Sequence, residues 1–330
     1  MEKILDGFAA FITLVLLCAL PTPLKAGNQF GCDLFAAAVV TDATYVAVGD
    51  RGKIFISKDA GKSFVPVTSK TKLALASVSF PDAMQGWIVG QKGVILHTAD
   101  GGNSWSPQPS GVDTYLMAVD FADALIGCAV GADSTIIITT DGGETWTRSN
   151  FTLTNDAGCA HNFFAIKMLD PKTICITGDM GRVFLTNNAG KSWTEAPTNL
   201  FNEETGEGRT LYALSVSGNM LVAIGIDGTL ITSTDAGKTW NQGSSGMKNP
   251  DFFCLGMVDA FGIAAGSGGN VIQTTNGGAT WQTVKTPEKV YKAWLSGIAL
   301  KKNSAGEITG LVVGQYGTVG IIRNSQITWL

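Results

Sequence analysis

Charge is scarce in this chain. Only 15% of its 330 residues are Asp, Glu, Lys or Arg, histidines number two, and the arginines are Arg51, Arg148, Arg182, Arg209 and Arg323. The net charge is -4 and no Lys or Arg cluster stands out, so a phosphate backbone finds no run of cationic contacts and nucleic acid is excluded as a partner. His161 lies close to Cys159, but a zinc site needs three or four ligands and His97 is the one other histidine; no metal or cofactor is expected. A Gly-x-Ser-x-Gly nucleophile elbow is also missing.

Long apolar runs are absent after the first 26 residues. The run at 8–20 is shorter than the roughly 20 residues that span a bilayer; it follows Lys3 and precedes Pro21, Pro23 and a cut site after Ala26. Residues 1–26 read as a secretory signal. Glu2 and Asp6 dilute the positive start and Leu24 is large for its place before the cut, which leaves an uncleaved anchor as the alternative; a lipid-modified Cys32 is the weaker rival. Export to a periplasm or extracellular space is expected, with membrane association left open. Beyond Cys18 the cysteines are Cys32, Cys128, Cys159, Cys175 and Cys254, an odd number that excludes a full disulfide framework. Cys128 and Cys175 stand where equivalent positions hold Val46, Trp87, Val222, Ile263 and Leu311, and read as buried small hydrophobes. One bridge involving Cys32 or Cys159 stays open.

What the chain has in abundance is glycine, 41 residues, and 45% hydrophobics, which suits short buried strands joined by tight turns. The glycines keep a register. From Gly131, Asp141 lies ten residues on, Gly143 twelve and Trp146 fifteen. The register recurs from Gly49, Gly90, Gly178, Gly225, Gly266 and Gly314, closing on Phe64, Trp105, Trp193, Trp240, Trp281 and Trp329. In the third copy, 116–121, 125–130, 135–140 and 145–149 read as four strands. Seven four-stranded units make an all-β, seven-bladed propeller, expected to form one repeat domain over 27–330.

The spacings of 41, 41, 47, 47, 41 and 48 residues carry three insertions. Those at 150–161 and 196–210 join a fourth strand to the next first strand, and so share a face with the turns between strands two and three. The third, around 301–307, falls on the opposite face. The fourth strand of the last blade looks very short, and residues 28–34 are expected to lie beside it and close the ring.

The acidic position of each copy reads Asp59, Asp100, Asp141, Asn188, Asp235, Asn276 and Asn324. Asp and Asn share an oxygen that caps turn amides, and only Asp brings a charge, so capping is favoured over calcium. A glycine two residues later fits a positive φ; the seventh copy has Gln326, which predicts a distorted turn. The closing tryptophans, in equivalent copies, read as inter-blade packing rather than ligand stacking. Gly-Ser-Gly-Gly at 266–269 aligns with an ordinary blade turn and no helix follows, so it is no phosphate loop.

The Ser/Thr-x-Asp-x-Gly-x-Thr/Ser-Trp pattern at 57–64, 98–105, 139–146 and 233–240 resembles the Asp-box, or bacterial neuraminidase, repeat. With 78–82 (Val-Ser-Phe-Pro-Asp) and 86–90 (Gly-Trp-Ile-Val-Gly) it looks more narrowly like the photosystem II stability and assembly factor family. That resemblance implies an exported, seven-bladed, non-enzymatic propeller, and adds the thylakoid lumen to the compartments expected. In photosynthetic members it implies docking to a nascent reaction-centre subunit through an arginine-rich surface, which five scattered arginines do not reproduce.

The resulting expectation is a monomeric scaffold for a membrane or envelope protein complex. Its binding face gathers Arg51, Lys53, Lys92, Arg182, Phe201, Arg209, Lys285, Lys289, Lys292 and Tyr316, mixing charge with aromatics as protein contacts do. Glu203, Glu204 and Glu207 could add an acidic lobe. The alternative is a glycan-active Asp-box hydrolase, sialidase-like or xyloglucanase-like, or a carbohydrate-binding propeller. Hydrolysis needs two facing carboxylates, and a sialidase site would also want three clustered arginines and an early Arg-Ile-Pro element.

Overall fold

The computed structural model describes residues 30–151, 160–202 and 207–330. The secretory segment, Cys159, Glu203, Glu204 and most of the first insertion lie outside them. Seven four-stranded antiparallel sheets follow one another along the chain, each a meander from an inner to an outer strand, and a two-stranded hairpin (Phe201–Asn202 with Glu207–Gly208) sits between blades four and five. Among the described residues no helix is long and apolar enough to cross a membrane.

Blade three shows how the residues choose these elements. Its strands are Leu116–Phe121, Gly127–Gly131, Ile136–Thr139 and Thr147–Arg148. The second begins later than the apolar pattern suggests because Asp123 Oδ1 accepts from the amides of Leu125 and Ile126, both at 2.8 Å, and holds them in the turn. The fourth begins after Trp146 because Thr145 is bound to Asp141 and is unavailable to the ladder.

The recurring glycine ending each second strand is explained by crowding. Its φ is extended, between -158° and -178° where measured at the following turn, so any residue could adopt the backbone. A Cβ, however, would lie 1.8 Å from a carbonyl oxygen at Gly225 and Gly266, 2.0 Å at Gly131 and 2.3 Å at Gly314. The cause is a β-bulge at the start of every inner strand, where for example Leu34 faces Gly49 but Ala36 faces Val48. The bulge pushes the preceding carbonyl into the space a side chain would occupy.

Seven apolar clusters lie between adjacent blades, and the one between blades seven and one joins Phe30, Leu34 and Tyr45 to Leu311, Val313 and Ile321. Cys128 and Cys175 are fully buried in two of them. Cys32, Cys128, Cys175 and Cys254 are all free thiols, so none bridges another. Burial pushes the Cys32 thiol up to about 12, with Asp50 and Asp33 adding to the effect.

Ring closure differs from the sequence expectation. The last blade supplies a full outer strand of its own, Gln326–Trp329, paired with Val319–Arg323. Asn324 and Ser325, at φ 48° and 63°, make a two-residue turn that brings the chain back early enough to pair, as a hairpin of this geometry does. The N-terminal side packs blade against blade instead: Ser296 Oγ donates to Leu34 O at 2.9 Å, Lys301 Nζ to Val40 O at 2.8 Å, and Arg323 Nη2 to Ala60 O at 2.9 Å.

Candidate functional site

The Asp-box turns join third to fourth strands and form one face. In blade three Thr139 Oγ1 donates to Asp141 Oδ1 (2.8 Å) and accepts from Gly143 N (2.8 Å). Asp141 Oδ1 accepts from Thr145 N (2.9 Å) and Oδ2 from Thr145 Oγ1 (2.6 Å). The same pattern surrounds Asp59, Asp100 and Asp235. Asn188 and Asn276 keep it by donating Nδ2 to Ser192 Oγ and Thr280 Oγ1, so the turn requires an oxygen and not a charge. Side-chain hydrogen bonds from Ser63, Thr145 and Thr239 hold Asp59, Asp141 and Asp235 down to about 2. Trp105, Trp240 and Trp281 are buried against the preceding blade, each donating Nε1 to the carbonyl of the turn glycine three residues back. Trp193 donates to Ser149 Oγ instead. Trp146 packs edge-on against Phe121, and its Nε1 is buried without a partner among the described residues. The seventh copy departs from this: Asn324 sits in the hairpin turn and caps nothing of this kind, and Trp329 lies within the outer strand, packed against the cluster of blades six and seven.

The turns between second and third strands form the opposite face, together with the connections between blades. Each turn has two residues at positive φ. The first is Arg51, Lys92, Asp133, Met180, Asp227, Gly268 or Tyr316 around the ring. The second is glycine in six blades because the connection passes close beneath; a Cβ at Gly93 would meet Val112 O at 2.1 Å. Left-handed backbone disfavours a side chain, and Asn or Gly would relieve the first position. Four of the seven instead carry Arg, Lys, Met or Tyr. Arg51, Lys92 and Tyr316 are exposed.

Inside this ring lies the channel mouth. Seven backbone hydrogen bonds tie the residue before each inner strand to the first turn residue of the same blade, Asp50 N to Asp33 O and Asp179 N to Asn162 O among them. Those fourteen residues include Asp33, Asp50, Asp179 and Asp251, and no Lys, Arg or His. The bulges set Phe164, Tyr212 and Phe253 at equivalent places in blades four to six, and Trp294, the residue before the last inner strand, extends their line into an arc. Ring centroids of Phe164 and Tyr212 are 5.1 Å apart, Tyr212 and Phe253 5.5 Å, Phe253 and Trp294 5.7 Å. Met117, Phe164 and Tyr212 form an eighth apolar cluster that belongs to no single blade interface. Sequence reasoning missed this arc; the signal was an aromatic recurring after the first inner-strand residue, at Phe164, Tyr212 and Phe253.

The residues read from sequence as a binding face fall in the second-to-third-strand turns and the connections between blades. Arg51, Lys53, Lys92, Arg209, Lys285, Lys292 and Tyr316 are exposed in turns and connections. Arg182 is not: its side chain is 10% exposed, paired with Glu195 at 2.9 Å and stacked 5.7 Å from the Phe201 ring. It also donates to His161 Nε2 at 2.8 Å, which fixes that imidazole as neutral with Nδ1 donating to Asp179. Lys289 is held by the chain end, at 2.7 Å from Leu330 O. His97 stacks on Trp87 and meets Gln85, and burial pulls its pKa below the ordinary value. Among the described residues no group of three His, Cys, Asp or Glu could hold a metal.

Solved structures of the same fold include one titled "YCF48 bound to D1 peptide", 19% identical with a TM-score of 0.68 over 92% of this chain and 99% of that one. Another is YCF48 from Cyanidioschyzon merolae, 18% identical, TM-score 0.66, over 92% and 96%. A GH74 enzyme from Niastella koreensis is 14% identical, TM-score 0.68, over 92% of this chain and 54% of that one. No curated protein sequence matches. The sequence model described as "Photosynthesis system II assembly factor YCF48" matches residues 35–110 and 105–241, and the chain belongs to that family.

Proposed function

We propose that this chain is a non-enzymatic, exported scaffold that docks a segment of a membrane or envelope protein complex on its loop-rich face during assembly. The observation that carries the reading is the ring of Arg51, Lys92, Met180 and Tyr316 at left-handed positions. Backbone strain at a side-chain-bearing position persists where the side chain has work to do. The related propeller titled as bound to D1 peptide supports a peptide as the docked element. The sequence of residues 1–26 supports export, and detection of a mature protein beginning near residue 27 would test it.

A glycan hydrolase is supported by the GH74 fold alone. A general acid needs a carboxyl group raised toward neutrality. Among the described residues every carboxylate with a resolved shift, Asp42, Asp59, Asp100, Asp141, Asp170 and Asp235, is held below its ordinary value.

The test is affinity capture from native membranes with the protein and an Arg51→Gly/Lys92→Gly/Tyr316→Gly variant. A membrane protein retained by the first and lost by the second is the expected outcome. Turnover on a sialoside or xyloglucan panel, with no partner captured, would reverse the reading.

A further inference from the structure

We propose that a cleft between blades two and three holds a polar stretch of the docked segment that carries one acidic and one basic side chain, the carboxylate on Arg148 and the amine or guanidinium on Asp113. This rests on the docking reading above and names the chemistry of the segment.

The cleft has a volume of about 540 Å³, within the roughly 300–1,000 Å³ typical of ligand sites. Its lining is the connection from the outer strand of blade two, Ser106–Gln108, to the inner strand of blade three, together with Arg148 on blade three's outer strand. That connection is tied down at three points. Ser110 Oγ accepts from Val112 N at 3.3 Å and donates to Val112 O at 3.0 Å. Val112 O lies against Gly93, where no side chain fits, and the hydroxyls of Thr114 and Thr135 are bonded at 2.9 Å. A lining ordered before binding costs its occupant less entropy.

Both charges of the cleft are left for an occupant. Arg148 reaches the carbonyl of Asp133 at 3.5 Å, the outer limit of a hydrogen bond, and a guanidinium has five N–H donors. Among the described residues Arg148 and Asp113 pair with no opposite charge, not even with each other. The fold requires neither. The same seryl turn recurs at Ser69 and Ser245, and the positions matching Asp113 and Arg148 hold Lys72 with Pro107 and Lys248 with Thr283. Of the three places, one alone sets opposite charges on the same groove. A stretch bearing both signs satisfies them together, whereas a purely acidic or basic stretch meets one attraction and one repulsion.

The experiment titrates eight-residue Ser/Thr peptides, labelled with a neutral dye, into the purified protein and reads fluorescence polarisation at low and physiological salt. They carry Glu and Lys one to three residues apart in either order, Glu alone, Lys alone, or neither. In the best-fitting two-charge peptide each charge should tighten binding about fivefold, the worth of one exposed ion pair, and salt should shrink the gain. Arg148→Gln should remove the gain from Glu and spare that from Lys; Asp113→Asn should do the reverse. Both side chains are exposed, so neither change should move the melting temperature. Equal binding of all the peptides, or gains that persist in the matching variants, overturns the proposal. Membrane capture separates the two readings. Capture that needs Arg51, Lys92 and Tyr316 but ignores Arg148→Gln and Asp113→Asn leaves docking standing and the cleft's occupant fallen. Charge-dependent peptide binding without any captured partner does the reverse.

Discussion

On the Asp-box face the first left-handed residue of each regular turn is Ala60, Gly101, Gly142, Ala189, Ala236 or Gly277. On the other face the corresponding residue is Arg51, Lys92, Asp133, Met180, Asp227, Gly268 or Tyr316. Both faces close their hairpins with consecutive residues at positive φ, so the backbone demand is shared. One face meets it with residues that carry almost no side chain and repeats the same hydrogen bonds in six blades. The other accepts long, dissimilar side chains at the same energetic disadvantage. A face selected only for stability would resemble the first. On the function proposed above, the second varies around the ring because it reads a partner.

The comparison is broken most severely by attacking what both faces depend on. Gly131→Ala places a methyl group 2.0 Å from Tyr115 O, a backbone atom that cannot swing aside. A loss of about 3 kcal/mol in urea denaturation is expected, and an unchanged midpoint would mean the bulge relaxes freely. Damage to one face comes next. Thr139→Val keeps the shape but leaves the buried Gly143 amide and Asp141 without their hydroxyl, for a loss of about 2 kcal/mol in the same measurement. Binding of the partner should survive this change in every molecule that remains folded.

Acid separates the faces more gently. Asp59, Asp141 and Asp235 titrate near 2 when folded because hydroxyls and amides donate to them, and Asp100 is brought to about 2 by Ser104 and Thr98 against the opposing pull of burial. Unfolded aspartate titrates near 3.9. The folded values are the lower ones, so the contribution is complete above about pH 4 and is lost as pH falls toward 2. Replacing all four with Asn, as blades four and six already do, should flatten the melting temperature over that window and change it little at neutral pH. A slope as steep as before would place the acid sensitivity elsewhere.

The seven-fold register and the four strands per blade were legible in sequence because each repeats, and repetition averages out local exceptions. The Asp/Asn exchange at 188 and 276 already pointed to an oxygen acceptor. The channel mouth was not legible, since Phe164, Tyr212 and Phe253 reach the axis only through a bulge that breaks the alternation used to assign strand faces. Nor was the burial of Arg182, whose partners His161, Glu195 and Phe201 come from three separate segments. At the chain end, counting Trp329 fifteen residues from Gly314 preserved the register while concealing that the Asn324–Ser325 turn had moved the aromatic into the strand.

The smallest expected effect is the one that sharpens the contrast furthest. Substituting Gly for Arg51, Lys92 or Tyr316 removes a side chain from left-handed backbone, a relief of about 1 kcal/mol each, partly offset by the greater freedom of glycine when unfolded. The sum should be a slight rise in the denaturation midpoint together with weaker retention of the membrane partner. Ala60→Gly, at the matching position of the Asp-box face, exchanges one small residue for another and should leave partner retention alone. Stability and binding would then move in opposite directions on one face and remain uncoupled on the other. If Tyr316→Gly lowers stability and leaves binding intact, its side chain serves the fold, and the ring loses the property that marks it as a contact surface.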